Sequence, residues 1–233
     1  MAASASNTTT VQYPIWIENI DFDKIYCDEA KLKDHLTQKL NYNENGAARV
    51  TQQITGHIKR RSSLSYFSKS AVEKMSTEAI IVLLHSIKHS QLIYMLSYQD
   101  VYGCTALHWC AENANNEVMK VILDSVSEEE CYQLLSITDT WREAPLHTSC
   151  LRGVTESVRV IVYHTYGVQY SLLQMKPRSV TEMEEYQEMT VLQRAAYYNK
   201  QSCIDTIRDS VSDEEWIQLL STSLPGVSRK PLP

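Results

Sequence analysis

The chain has 233 residues, 43% of them hydrophobic and 21% charged, with a formal net charge of -6. Such a composition supports a sizeable core, in one domain or in an elongated array of repeats, and the negative balance gives no general attraction to nucleic acid or to an anionic membrane. No apolar run approaches the length of a membrane span, and the opening MAASASNTTT lacks the basic start and apolar core of a signal peptide, so a cytosolic or nuclear protein is expected.

Residues 1–14 are mostly Ser, Thr, Ala and Asn with little to bury and are expected to be a disordered tail. Residues 15–64 read as a helical N-terminal cap. Within it, Leu32, Leu36 and Leu40 recur one turn apart, which predicts a helix over residues 28–40, ended by the NYNENG run from Asn41 to Gly46. Val50, Ile54 and Ile58 predict a second helix that runs up to the basic cluster Lys59, Arg60 and Arg61. That cluster, with Ser62 and Ser63 behind it, is read as solvated surface rather than a kinase target or import signal.

Residues 65–223 repeat. The stretch DSVSEEECYQLLSI, from Asp124 to Ile137, returns as DSVSDEEWIQLLST from Asp209 to Thr222. Segments that keep their apolar positions and helix-start residues while drifting elsewhere are expected to stack on neighbours built the same way. Thr77–Asp100 lies over Asn116–Asp139 without a gap at a step of 39 residues, and the same step carries His108 to His147. The next step, from His147 to Gln193, is 46 residues, and the surplus around Arg178 to Glu184 is expected in a surface loop.

Thr105 is placed to cap a helix beginning at Ala106, and Pro145 takes the first helical position of the following copy, where a missing N–H costs nothing. His108 and Gln193 sit at the third helical position, with reach back to Thr105 and Thr190. Gly153 and Asn199 fall where each short helix must end, and both tolerate a left-handed backbone. A second helix follows, buried through Val118, Met119, Ile122 and Leu123. Ser127 with Glu130, and Ser212 with Glu215, have capping-box spacing and predict a short third helix.

These residues carry a resemblance. Asp100, Gly103, Thr105, Leu107, His108, Ala111, Val118 and Leu123 match the ankyrin-repeat signature D-x-x-G-x-T-P-L-H-x-A-A, with the helix after it; Asp139, Pro145, Leu146, His147 and Gly153 continue the match, as do Thr190, Leu192, Ala195, Ala196 and Ile204. An ordinary ankyrin repeat has about 33 residues, so these are lengthened. Residues 65–100 lack the TPLH-like start, which leaves the first helix of that copy undefined. The resemblance implies an all-α ankyrin-type helical repeat solenoid with β-turn fingers, a helical N-terminal cap and about four repeats, followed by a tail over residues 224–233.

It also implies a binding module, with another protein as partner and the chain itself a monomer. No catalytic residue, cofactor or metal site is expected. Fingers and first-helix ends, carried over position by position, make a concave, aromatic and mildly acidic face. One repeat gives Val101, Tyr102, Cys104, Glu112 and Asn113, the next Thr140, Trp141, Glu143, Leu151 and Arg152, and the last Tyr186, Gln187, Met189, Tyr197 and Tyr198. Trp, Tyr and Arg are the residue types that dominate interface hot spots. The competing reading packs Trp141 and the tyrosines between neighbouring fingers. Two other functions are kept open: an inhibitory or targeting subunit of an enzyme, and an enzyme or metal protein built on His108, His147 and the cysteines. The six cysteines, Cys27, Cys104, Cys110, Cys131, Cys150 and Cys203, form no CxxC pair and are expected reduced.

Overall fold

A computed structural model describes residues 29–39, 41–58, 67–87, 89–167, 169–176 and 189–223. Among them there is no strand; the chain is a succession of helices. The expected tail segments, the start of the cap, the KRRSS run and the insertion around residues 178–184 lie outside the described residues.

Helices α1 (Glu29–Lys39) and α2 (Glu44–Ile58) form an antiparallel pair that buries Leu32, Leu36, Val50 and Ile54. The turn between them is shorter than the sequence suggests, because α2 begins inside the NYNENG run. Asn43 makes this possible: its Oδ1 accepts from the Gly46 N–H at 2.7 Å, doing the work of a helix cap.

Three rows of helices then stack in register. The inner row is α3 (Lys69–Lys74), α6 (Ala106–Glu112), α9 (Pro145–Arg152) and α12 (Val191–Tyr197). The outer row is α4 (Thr77–Ser86), α7 (Asn116–Asp124), α10 (Thr155–His164) and α13 (Gln201–Ser210), with α2 packed on α4 at its start. A third row holds α5 (His89–Leu96), α8 (Glu128–Leu135), α11 (Gln169–Leu173) and α14 (Asp213–Ser223). One apolar core runs through all of it, from Leu32 by way of Leu83, Leu107, Ile122, Leu146 and Ile161 to Ile207 and Leu219.

The starts of these helices are set locally. Ser127 and Glu130 make a reciprocal capping box, and Ser212 with Glu215 makes the same one at α14. Thr190 and Gln193 do so at α12, where the Thr190 N–H donates to Gln193 Oε1 at 2.8 Å. The inner helices α6, α9 and α12 each end in a left-handed residue, Ala114 (φ 54°), Gly153 (φ 75°) and Asn199 (φ 53°), whereas α3 ends in an extended one, Met75.

His108 and His147 join a helix start to the next repeat. His108 Nδ1 accepts from the Thr105 N–H at 3.1 Å, and its Nε2–H donates to the carbonyl of Glu143 at 2.8 Å, in the following finger. His147 repeats the arrangement, with Nδ1 accepting from the Ala144 N–H at 3.4 Å and Nε2–H donating to the Met175 carbonyl at 3.1 Å. Both rings are buried. Burial disfavours the charged imidazole and lowers His108 to about 4 and His147 to about 3. Both nitrogens of each ring are thus committed to holding the stack together.

Candidate protein-binding face

The β-turn fingers rise where the chain passes from one repeat to the next. In the finger of residues 100–104 the Gly103 N–H donates to the Asp100 carbonyl at 2.9 Å, and Asp100 Oδ1 accepts from the N–H groups of Tyr102 (2.9 Å) and Cys104 (3.0 Å). The finger of residues 139–143 copies this bond for bond. Arg142 N–H donates to the Asp139 carbonyl at 2.9 Å, and Asp139 Oδ1 accepts from Trp141 and Glu143, each at 2.9 Å. An aspartate opens each finger because one carboxylate satisfies two turn N–H groups that no ladder would otherwise meet. The fingers are tied together by Thr140 N–H to the Tyr102 carbonyl (2.9 Å) and by Gln99 Nε2 to the Thr138 carbonyl (2.8 Å).

On this frame Tyr102 and Trp141 stack with ring centroids 6.4 Å apart and planes 12° from parallel. Each remains 53% exposed, and Val101 beside them is 88% exposed. The aromatics therefore pack between fingers and still offer a broad apolar surface. The inner-helix ends add Tyr197 and Tyr198, edge to face at 5.0 Å, both exposed.

The other expected contact residues divide by environment. Thr140 and Asn113 are exposed, while Leu151 and Met189 are half-buried. Tyr186 and Gln187 lie outside the described residues. Glu112 is held by Arg152, whose Nε donates to it at 2.7 Å, so these two charges neutralise one another across adjacent repeats. Glu143 is largely withdrawn from the surface: its carboxylate pairs with Arg194 of α12, whose side chain is buried. Burial raises the Glu143 carboxyl above its usual value even with Arg194 beside it. Among the described residues, the two glutamates expected to make the face mildly acidic are paired with arginines of the following repeat. Cys104 has its thiol pushed up to about 12 by burial and by Asp100 and Asp139, so it stays protonated. Cys203 is drawn down to about 7 by a hydrogen bond from Cys150, but it is 1% exposed and inaccessible to a substrate.

Two residues here escaped the sequence reading. Trp109, half-buried on α6, donates from Nε1 to Asp100 Oδ2 at 2.9 Å and carries Lys69 Nζ over its ring at 4.1 Å. Arg142 is exposed at the tip of its finger on a left-handed backbone (φ 61°), where the preceding finger has Gly103 (φ 73°). Its signal was an arginine standing in the register position of a signature glycine.

A family model described as the ankyrin repeat matches residues 102–129, from the Tyr102 finger through α6 and α7 into α8. A search among curated proteins found no match. Ankyrin repeats generally serve as protein–protein interaction modules and are typically non-enzymatic. The stacked helices and β-turn fingers form an all-α helical-repeat fold, and the matched segment within it is similar to the ankyrin repeat.

Proposed function

We propose that the chain is a recognition module, an adaptor or scaffold that binds one protein partner along the face made by its fingers and inner-helix ends. The observation that carries this reading is the exposure of Tyr102 and Trp141, 53% each, on fingers braced by the turn hydrogen bonds of Asp100 and Asp139. A rigid platform that holds large aromatic rings in water binds without much further ordering cost, which favours affinity. Val101, Asn113, Thr140, Tyr197 and Tyr198 extend the contact, and Arg152 lines it while paired with Glu112. Residues 65–223 form the repeat array, residues 15–64 its cap, and the protein works as a monomer in the cytoplasm or nucleus.

The test is calorimetric titration of a partner isolated by affinity capture against the wild-type chain and against Trp141→Ala/Tyr198→Ala. The double variant, shown to be folded by circular dichroism, is expected to bind at least about 30-fold more weakly, since one hot-spot truncation costs ~2 kcal/mol or more. Unchanged affinity would place the contact elsewhere.

A further inference from the structure

The two fingers differ most at one position, and the difference runs against stability. At Gly103 a β-carbon would sit 2.7 Å from the backbone nitrogen of Thr140 and 2.9 Å from the Asp139 carbonyl carbon, so the next finger is packed against a missing side chain. The same register position in the next finger is Arg142, equally left-handed. Its β-carbon forbids the approach that Thr140 makes on Gly103, so no finger can close on residue 142 in that way. An L-residue other than Gly, Asn or Asp is disfavoured at this φ. An arginine here weakens the turn, and no contact among the described residues offsets that.

The surrounding charges are already matched. Asp100 serves Tyr102, Cys104 and Trp109, and Asp139 serves Trp141 and Glu143. Glu112 and Glu143 hold Arg152 and Arg194, and Lys69 lies over Trp109 within 3.7 Å of Glu73. Arg142, by contrast, has no ion-pair or side-chain hydrogen-bond partner among the described residues. It stands next to the exposed Trp141 and Tyr102 rings, so a cation with a planar fork of donors adjoins an apolar shelf.

We infer that this finger reads an acidic side chain of the partner: a peptide segment in which an Asp or Glu, seated on Arg142, lies beside an apolar residue covering the Tyr102–Trp141 stack. The inference rests on the proposed binding face and specifies its occupant.

The experiment selects displayed random 12-residue peptides on the full chain and on three folded variants: Arg142→Gly, Arg142→Lys and Trp141→Ala. Peptides selected on the wild type are expected to be enriched in Asp or Glu next to an apolar residue. They should bind Arg142→Gly about tenfold more weakly, as loss of a charged hydrogen bond implies, with part of the affinity kept by Arg142→Lys. At the same time Arg142→Gly should melt at a higher temperature than the wild type, which separates lost recognition from lost folding. Peptides that depend on Trp141 yet show no acidic preference, or bind Arg142→Gly equally well, would overturn this inference and leave the binding face standing. If no selected peptide depends on Trp141, both fall.

Discussion

Helices α8 and α14 have nearly the same sequence and the same capping box, yet they live in different surroundings. In α8, Leu134 and Leu135 are both fully buried, 1% and 0% exposed, and Tyr132 is half-covered. In α14 the counterpart of Leu134 is Leu219, also 1% exposed, whereas the counterpart of Leu135 is Leu220 at 39%, and that of Tyr132 is Ile217 at 66%. Helix α8 packs on α10 of the next repeat, whereas no described element follows α14. The contrast separates two kinds of information: caps and periodicity specify that a helix forms, while the neighbour decides how much that helix stabilises.

The sharpest way to break this contrast is to truncate the paired leucines. Leu135→Ala should cost about 2–5 kcal/mol, the range for a buried leucine, and Leu220→Ala roughly 1 kcal/mol or less, both read from urea unfolding. Equal losses would mean that α14 is covered as α8 is.

Next in size comes the cross-repeat histidine. His147→Ala should cost about 2–4 kcal/mol, because it removes a buried ring and strands the N–H of Ala144 and the carbonyl of Met175. Gln193 occupies the corresponding place in the last repeat, where it accepts from the Thr190 N–H. His147→Gln is therefore expected to keep the start of α9. The pair also sets a pH dependence. His108 and His147 titrate at about 4 and about 3 in the folded chain, below the ~6.5 of an unfolded histidine. Below pH ~6.5 the unfolded chain takes up protons that the folded chain refuses, so stability is intact above that value and falls as pH drops towards 4. The slope should approach ~1.4 kcal/mol per pH unit for each histidine. Denaturant melts at pH 7, 6 and 5 measure it, and His147→Gln should flatten it by about half.

Smaller effects should be blind to the neighbour. Ser127→Ala and Ser212→Ala are each expected to cost ~1 kcal/mol, alike within a few tenths, because each serine hydroxyl caps its own exposed helix start, although Glu130 is also tied to His89 of the preceding repeat. A clear inequality in thermal melts would show that the caps feel the stack. Smallest is Ala114→Gly, expected to stabilise by up to ~1 kcal/mol, since alanine there holds a left-handed φ of 54°. Asn199→Gly should change little, because asparagine accepts that conformation.

What the sequence disclosed follows the same division. The caps at Ser127, Thr190 and Ser212, the left-handed ends at Gly153 and Asn199, and the histidine at the third helical position were readable because each is set within a few residues. The α2 start at Glu44 was not, since Asn43 and Gly46 read as a turn until the cap bond is seen. Helix α11 is short, and its Leu172 and Leu173 are shifted by one residue near Gly167, which hid it. On the proposed face, exposure of the aromatic rings was legible from finger register. The fate of Glu112 and Glu143 was not, because each is paired with an arginine 40 or more residues away, and nothing local marks those partners.

The central claim, that the finger face is where the chain meets its partner, is tested most directly by amide hydrogen exchange on the free chain and on the complex with a captured partner. The account predicts added protection over residues 99–104, 138–143 and 195–199, with the outer helices α7 and α10 unchanged. Protection confined to α7 and α10, with the fingers exchanging as in the free chain, would contradict it.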